Sequence, residues 1–300
     1  MKVKKLYILG MASLLAMGSC SGVLDITPDG RIDIDDIWKD NDMTGAYLNG
    51  CYNYYADNGG LNAYHFQTNP FVSISDDLWD CDAEVETGLS HAMMYNGACS
   101  SNSHPWIEGT RSWASAYEGV RKCNMFLTHI DEANVKSETN RARWKAEARL
   151  LRAAIYSNLL CNYGALTIIL TKPNMYDDDF SFVQKYNGAA TREEGYRKVI
   201  DFIFGDIDTA LMEETIPWRN TSGSEANRVT KALGLAIKSR FALYAASPLN
   251  QAMTWEEAYQ INHAALQQLR DNGYELYKTC RNTSEFGIYG SKGQVKWSKG

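Results

Sequence analysis

Residues 144–164 read WKAEARLLRAAIYSNLLCNYG, and this stretch decides the fold. Trp144, Ala148, Leu151, Ile155 and Leu159 return every three to four residues, the spacing of one face of an α-helix, and the run stops at Gly164. The same period recurs on both sides. Upstream, across a polar stretch at 131–140, it is carried by Trp113, Tyr117, Val120, Asn124 and Leu127; before that, Tyr47, Leu48, Cys51, Tyr52 and Tyr55 mark a helix over 41–56. Downstream, Thr191 and Glu194 form a predicted capping box, in which the two side chains satisfy free backbone donors reciprocally. It opens a helix through Val199, Ile203, Ile207 and Leu211, with Pro217 beyond its end. Residues 230–246 form another through Leu233, Ile237 and Tyr244, closed by Ser247-Pro248. Thr254 and Glu257 make a second box, opening a helix that ends before Gly273. The chain is therefore mainly α, and its helices come in pairs with a long polar insertion at 57–105.

Helix pairs invite a search for the tetratricopeptide pattern, in which small residues at fixed places let paired helices pack closely. Leu233-Gly234 with Ile237, then Ala258 with Ala265, fit its two halves. The loop between the halves exceeds the consensus by about a dozen residues, so the expected architecture is of irregular tetratricopeptide-like pairs with long inserted loops.

The chain has 300 residues, 45% hydrophobic, with 30 Lys+Arg against 36 Asp+Glu. That suffices for a real core and excludes disorder as the main state. With no block of Lys or Arg after the first five residues, no nucleic-acid partner is expected, because phosphate binding needs concentrated positive charge. The two ends differ in kind. Lys2, Lys4 and Lys5 precede an apolar run from Leu6 to Met17, too short to span a bilayer, and no acid appears before Asp25. Residues 1–19 read as a signal peptide. Met17-Gly18-Ser19-Cys20 resembles a bacterial lipobox, which makes Cys20 the lipidated N-terminus of a mature chain with net charge −9. In the oxidising compartment this implies, disulfides can form. Cys51, Cys123 and Cys161 fall on apolar helix faces and are expected to be buried; Cys81 and Cys99 share a polar loop and are the best disulfide candidates; Cys280 is the sixth.

Together these pieces resemble the SusD/RagB family of outer-membrane nutrient-binding lipoproteins of the Bacteroidetes. Four stretches carry the resemblance: Val23-Leu24-Asp25-Ile26-Thr27-Pro28 with Ile37-Trp38 and Asn49-Gly50-Cys51-Tyr52; Trp113 to Asn124; the block from Glu147 to Gly164; and Arg228-Val229-Thr230-Lys231 running to Leu243-Tyr244-Ala245-Ala246-Ser247-Pro248-Leu249. The resemblance implies a lipid-anchored, non-enzymatic protein, with residues 20–300 forming a SusD-like helical domain. Its function would be to capture a glycan or similar nutrient at the cell surface and pass it to a TonB-dependent, SusC-like transporter in the outer membrane. Family members continue beyond this length, so the chain is expected to lack the C-terminal part of the fold.

No enzyme motif appears: GxSxG, the P-loop, GxGxxG and HExxH are all missing, and the five histidines are scattered. No cofactor is expected. Asp25, Thr27, Asp29, Arg31, Asp33 and Asp36, with Gly30, fall at EF-hand ligand positions, but Pro28 stiffens the loop and an Asp closes it where a longer Glu normally reaches. This is kept as a weak alternative calcium loop. Neutral sugars require aromatic faces for their C–H sides and amides or acids for their hydroxyls. Trp79, Tyr95 and Trp106, among Asp76, Asp77 and Asn96, offer both on predicted loops, and the family's corresponding segment contributes to its glycan site. Trp113, Trp144 and Trp255 lie on predicted helices and are expected in the core. The rival reading is a tetratricopeptide-like scaffold or adhesion lipoprotein that binds protein partners only.

Overall fold

The computed structural model describes residues 33–55, 113–170 and 185–275. Residues 1–19, read above as a signal peptide, together with Cys20, Cys81, Cys99, Cys280 and the candidate calcium-loop residues Asp25, Thr27, Asp29 and Arg31, lie outside the described residues. Within them every regular element is helical: α1 (Ile34–Ile37), α2 (Asn41–Tyr52), α3 (Trp113–His129), α4 (Glu138–Tyr163), α5 (Arg192–Leu211), α6 (Lys231–Ala246) and α7 (Trp255–Asp271). Short 3-10 turns at Lys185–Gly188 and Gly223–Glu225 complete the set.

Polar side chains set the helix starts. Asp40 accepts from the Asp42 and Met43 N–H groups, Ser137 from Asn140, Thr191 from Glu194 and Thr230 from Leu233, each satisfying a backbone donor that the first turn leaves free. The Thr254–Glu257 box is reciprocal, as expected. At Thr191 only half of the expected box forms, because Glu194 accepts from the Ala190 N–H instead of from the cap residue itself. Two boundaries shift from expectation: α2 stops at Tyr52 and α4 begins at Glu138 inside the polar stretch, while α5 ends at Leu211 as expected. Gly164 closes α4 with φ 72°, a conformation that costs glycine little. Pro248 holds Ser247 extended at ψ 150° and so ends α6.

The hub is α4. Leu150, Leu151, Ala153, Ala154, Ile155 and Tyr156 are all buried, so the middle of the helix is covered on nearly every side. It packs against α2, α3, α5 and α6. Tyr163 near its end accepts from the N–H of Trp113, which begins α3, and Arg141 near its start donates to the Ile130 and Ala133 carbonyls just beyond the end of α3. The two helices are therefore antiparallel. Tyr156 meets Phe202 edge to face and Arg152 meets Asp206, so α5 also runs opposite to α4. Next, α6 lies on α5 and α7 on α6. A Cβ on Gly234 would stand 3.0 Å from Leu150 and 3.2 Å from Ile207, showing how closely α6 approaches the other two. Ala258 and Ala265 are buried, as the small-residue pattern requires.

Three burial expectations are corrected. Cys161 is exposed, on the side of the last turn of α4 away from buried Leu159 and Leu160. Trp113 is 45% exposed: as the first residue of α3 it stands at the edge of the packing, with only Tyr117 and Tyr163 against its ring among the described aromatic residues. Trp255 is 59% exposed: at about 100° per residue it stands roughly 60° round α7 from Ala258, off the packed face. Trp144 is half-buried, packed against the core.

Candidate functional site

The sequence-selected ligand residues Trp79, Tyr95, Trp106, Asn96, Asp76 and Asp77 lie outside the described residues, between Tyr55 and Trp113. The structure does describe the places where that segment leaves and rejoins the helices. On departure, Tyr54 packs on α3 so tightly that a Cβ on Gly119 would lie 2.5 Å from the Tyr54 Cβ, and the Lys122 ammonium sits 5.1 Å from the Tyr54 ring centroid. On return, the Trp113 ring lies 4.7 Å from Tyr117 and meets Tyr163 edge to face at 5.2 Å.

The chain leaves toward the second insertion, 171–184, beside Tyr156 and Asn124, about two turns of α4 back from Tyr163. Residues 166–169 run along the helices, held by side chains that take the place of a neighbouring strand. Tyr117 donates to the Thr167 carbonyl at 2.5 Å and Asn124 to the Ile169 carbonyl at 2.8 Å, while the Ile169 N–H donates to the Tyr156 hydroxyl at 2.8 Å. Burial pushes the Tyr117 phenol well above its ordinary pKa, so it stays protonated and able to donate. Asn187 clamps the far side: its amide donates to the Leu166 carbonyl and its Oδ1 accepts from the Ile168 N–H. Asn187 and Tyr186 hold left-handed backbone at φ 53° and 54°, a costly conformation for Tyr. Gly195 makes room for it, because a Cβ there would come within 2.9 Å of the Tyr186 backbone. The described ends of both insertions thus lie along the C-terminal half of α4, and the half-exposed cluster of Trp113, Tyr117 and Tyr163 stands at its end.

An aromatic face beside polar loops suits the apolar side of a sugar ring. Half a Trp face, roughly 100 Å², contributes at most about 2.5 kcal/mol, whereas millimolar affinity needs about 4. Trp113 alone is therefore too small a platform, and a working site needs aromatic partners from the inserted segments.

The remaining polar features of the described residues are structural. Glu147 is fully buried, with Tyr52 donating to it at 2.9 Å, Arg143 at 2.9 Å and Arg228 at 3.0 Å. A carboxylate so paired is a tie between α2, α4 and the approach to α6. The sequence marked Glu147 and Arg228 as members of shared blocks but gave no sign that they meet. A cleft of about 400 Å³ between α4 and α5 is lined by Arg141, Lys145, Arg149 and Glu213. Its cations are already matched, Lys145 by Asp131 at 2.6 Å, Arg141 by Glu138 at 3.0 Å and Arg149 by Asp206 at 3.2 Å. Of the calcium-loop residues, Asp33 and Asp36 are described. Asp33 precedes α1 without a side-chain cap bond, and Asp36 pairs with Lys39 at 2.8 Å.

No family model and no curated protein matches the chain. Solved structures do. A SusD-like protein from Bacteroides fragilis is 23% identical, with TM-score 0.61 over 81% of this chain and 40% of its own. The surface glycan-binding protein A from Bacteroides uniformis is 19% identical, with TM-score 0.61 over 85% of this chain and 50% of that one. That from Bacteroides thetaiotaomicron, solved in complex with laminarihexaose, is 16% identical, with TM-score 0.55 over 85% and 47%. The chain has the SusD-like fold, helical and tetratricopeptide-like, and spans about half the length of the structures it matches.

Proposed function

We propose that this chain is a cell-surface, glycan-binding lipoprotein of the SusD/RagB kind, anchored in the outer membrane through Cys20, that captures an oligosaccharide and delivers it to a TonB-dependent SusC-like transporter. The observation that carries this reading is the aromatic corner of Trp113, Tyr117 and Tyr163, where the chain rejoins the helices after residues 56–112. That corner offers a sugar-compatible edge, and we assign the remaining contacts to Trp79, Tyr95, Asn96 and Trp106, with Asp76 and Asp77, in the preceding stretch of sequence. The shared fold supports it, since the fold includes surface glycan-binding proteins, one of them solved with laminarihexaose. The role is binding without catalysis. Affinity electrophoresis against laminarin and a panel of other soluble glycans tests it: retardation by one glycan, abolished in the Trp79→Ala/Trp106→Ala variant, is expected. Unchanged retardation in that variant would remove these two residues from the site. No retardation by any glycan would overturn the reading.

A second reading, a scaffold or adhesion lipoprotein binding protein only, draws on one observation. Trp255 and Tyr259 stand one turn apart on α7, 59% and 58% exposed. Pulldown of a protein partner that is lost in Trp255→Ala/Tyr259→Ala, together with a silent glycan panel, would favour it.

A further inference from the structure

The fold brings together two cysteines that the sequence set apart as separate small hydrophobes. Cys51 lies in the last turn of α2 and Cys123 in the middle of α3, 72 residues on, where the two helices pack. Both are 0% exposed; Tyr47 stacks on Phe126 with ring centroids 6.4 Å apart and Tyr54 presses on Gly119, so the register of the two helices sets Cys51 opposite Cys123, within hydrogen-bond reach. Among the described residues no group of three His, Cys, Asp or Glu side chains is gathered around the pair. Two sulfurs already in contact need little further approach to reach the 2.05 Å or so of a disulfide.

We propose that Cys51 and Cys123 are joined by a disulfide in the exported protein, closing the base of the segment 56–112. The inference rests on the export reading for its oxidising environment, and the oxidant is an external disulfide, of a small molecule or of a thiol-oxidising protein. Cys51, as thiolate after giving its proton to solvent, attacks one sulfur of that disulfide, and the first thiolate leaves. Cys123, likewise deprotonated, then attacks the Cys51 sulfur of the mixed disulfide and expels the second. Two protein thiols are oxidised, one external disulfide is reduced, and the two departing thiolates take up the two protons. The exchange precedes the seating of α2, since in the folded core both sulfurs are sealed from solvent. The hydrogen bond with Cys51 and then burial also push the Cys123 thiol up in pKa, which makes it a poor nucleophile there.

Peptide mapping after alkylation of the denatured, unreduced chain tests this in two preparations. In full-length protein refolded in a glutathione redox buffer, the expected result is a peptide pair linking Cys51 to Cys123, two hydrogens lighter than the separate peptides and released by dithiothreitol. Alkylation of both residues there would overturn the proposal on geometry. In protein recovered from the cell envelope, the same linked pair is expected. A pair that links on refolding but is alkylated in envelope protein would overturn its presence in the exported protein, leaving the contact intact and placing the fault with the compartment.

Discussion

Arg152 on α4 and Asp206 on α5 form a bidentate, buried ion pair, with Nε donating to Oδ2 at 2.7 Å and Nη2 to Oδ1 at 2.8 Å. Nη1 of the same guanidinium donates to Asn124 on α3 at 2.7 Å, and the Asn124 amide goes on to the Ile169 carbonyl at 2.8 Å. One polar chain thus crosses three helices and ends on the strand-like stretch that roots the second insertion.

Removing one partner strands the other charge in the core. Asp206→Ala should cost about 3–5 kcal/mol, the range for a broken buried pair, whereas Arg152→Met/Asp206→Leu should cost clearly less, because it leaves neither charge buried alone. Urea unfolding of the three proteins decides, and equal losses in the single and double variants would show that the charge pairing is immaterial.

Glycine content separates close packing from chain flexibility. Gly119→Ala forces a Cβ to within 2.5 Å of Tyr54, so overpacking of about 1–3 kcal/mol is expected. Gly50→Ala on α2 meets nothing within 4 Å and should stabilise by about 0.5–1 kcal/mol through helix propensity. A thermal melt in which both variants move the same way would contradict the tight seat of Tyr54 on α3.

The start of α7 should weaken in acid. The Thr254 N–H first, then its hydroxyl and Arg197, hold the Glu257 carboxyl below its ordinary range. A depressed folded-state pKa contributes stability that is present above the unfolded value, about 4.3, and lost as pH falls through the folded one. NMR titration of the Glu257 side chain should therefore give a midpoint below that of an unfolded peptide. A midpoint at or above it would mean that the capping box is open in solution.

Trp113 separates a ligand edge from a packing residue. Trp113→Ala should weaken glycan binding about tenfold, a loss of about 1.4 kcal/mol, with little change in melting temperature because the ring is 45% exposed. Trp113→Phe should recover part of the affinity. A large fall in melting temperature with affinity intact would make Trp113 part of the core after all.

Much of the fold was legible in the chain. The helical period around Leu151 and Ile155, the threonine caps at 191, 230 and 254, and the stops at Gly164 and Pro248 are local signals, and each acts within a turn or two of its own position. The candidate site was legible only as a composition, aromatics among amides and acids in a stretch that lies outside the described residues. Its roots were not: Tyr117 reaching Thr167, and Asn187 clamping Leu166, join residues 50 and 21 positions apart through geometry that no spacing encodes.

The sequence by itself determined the helices, their threonine caps, the charge asymmetry of the first residues and the small residues where helices approach, because propensity, capping and periodicity are properties of neighbouring residues. Only the tertiary structure decided that Glu147 meets Tyr52 and Arg228, that Cys51 touches Cys123, and that Trp113 and Trp255 face outward. Burial and pairing depend on which other helix covers a given face. That choice is made by the packing of the whole chain, and a single helix carries it only as a stripe whose partner is not specified.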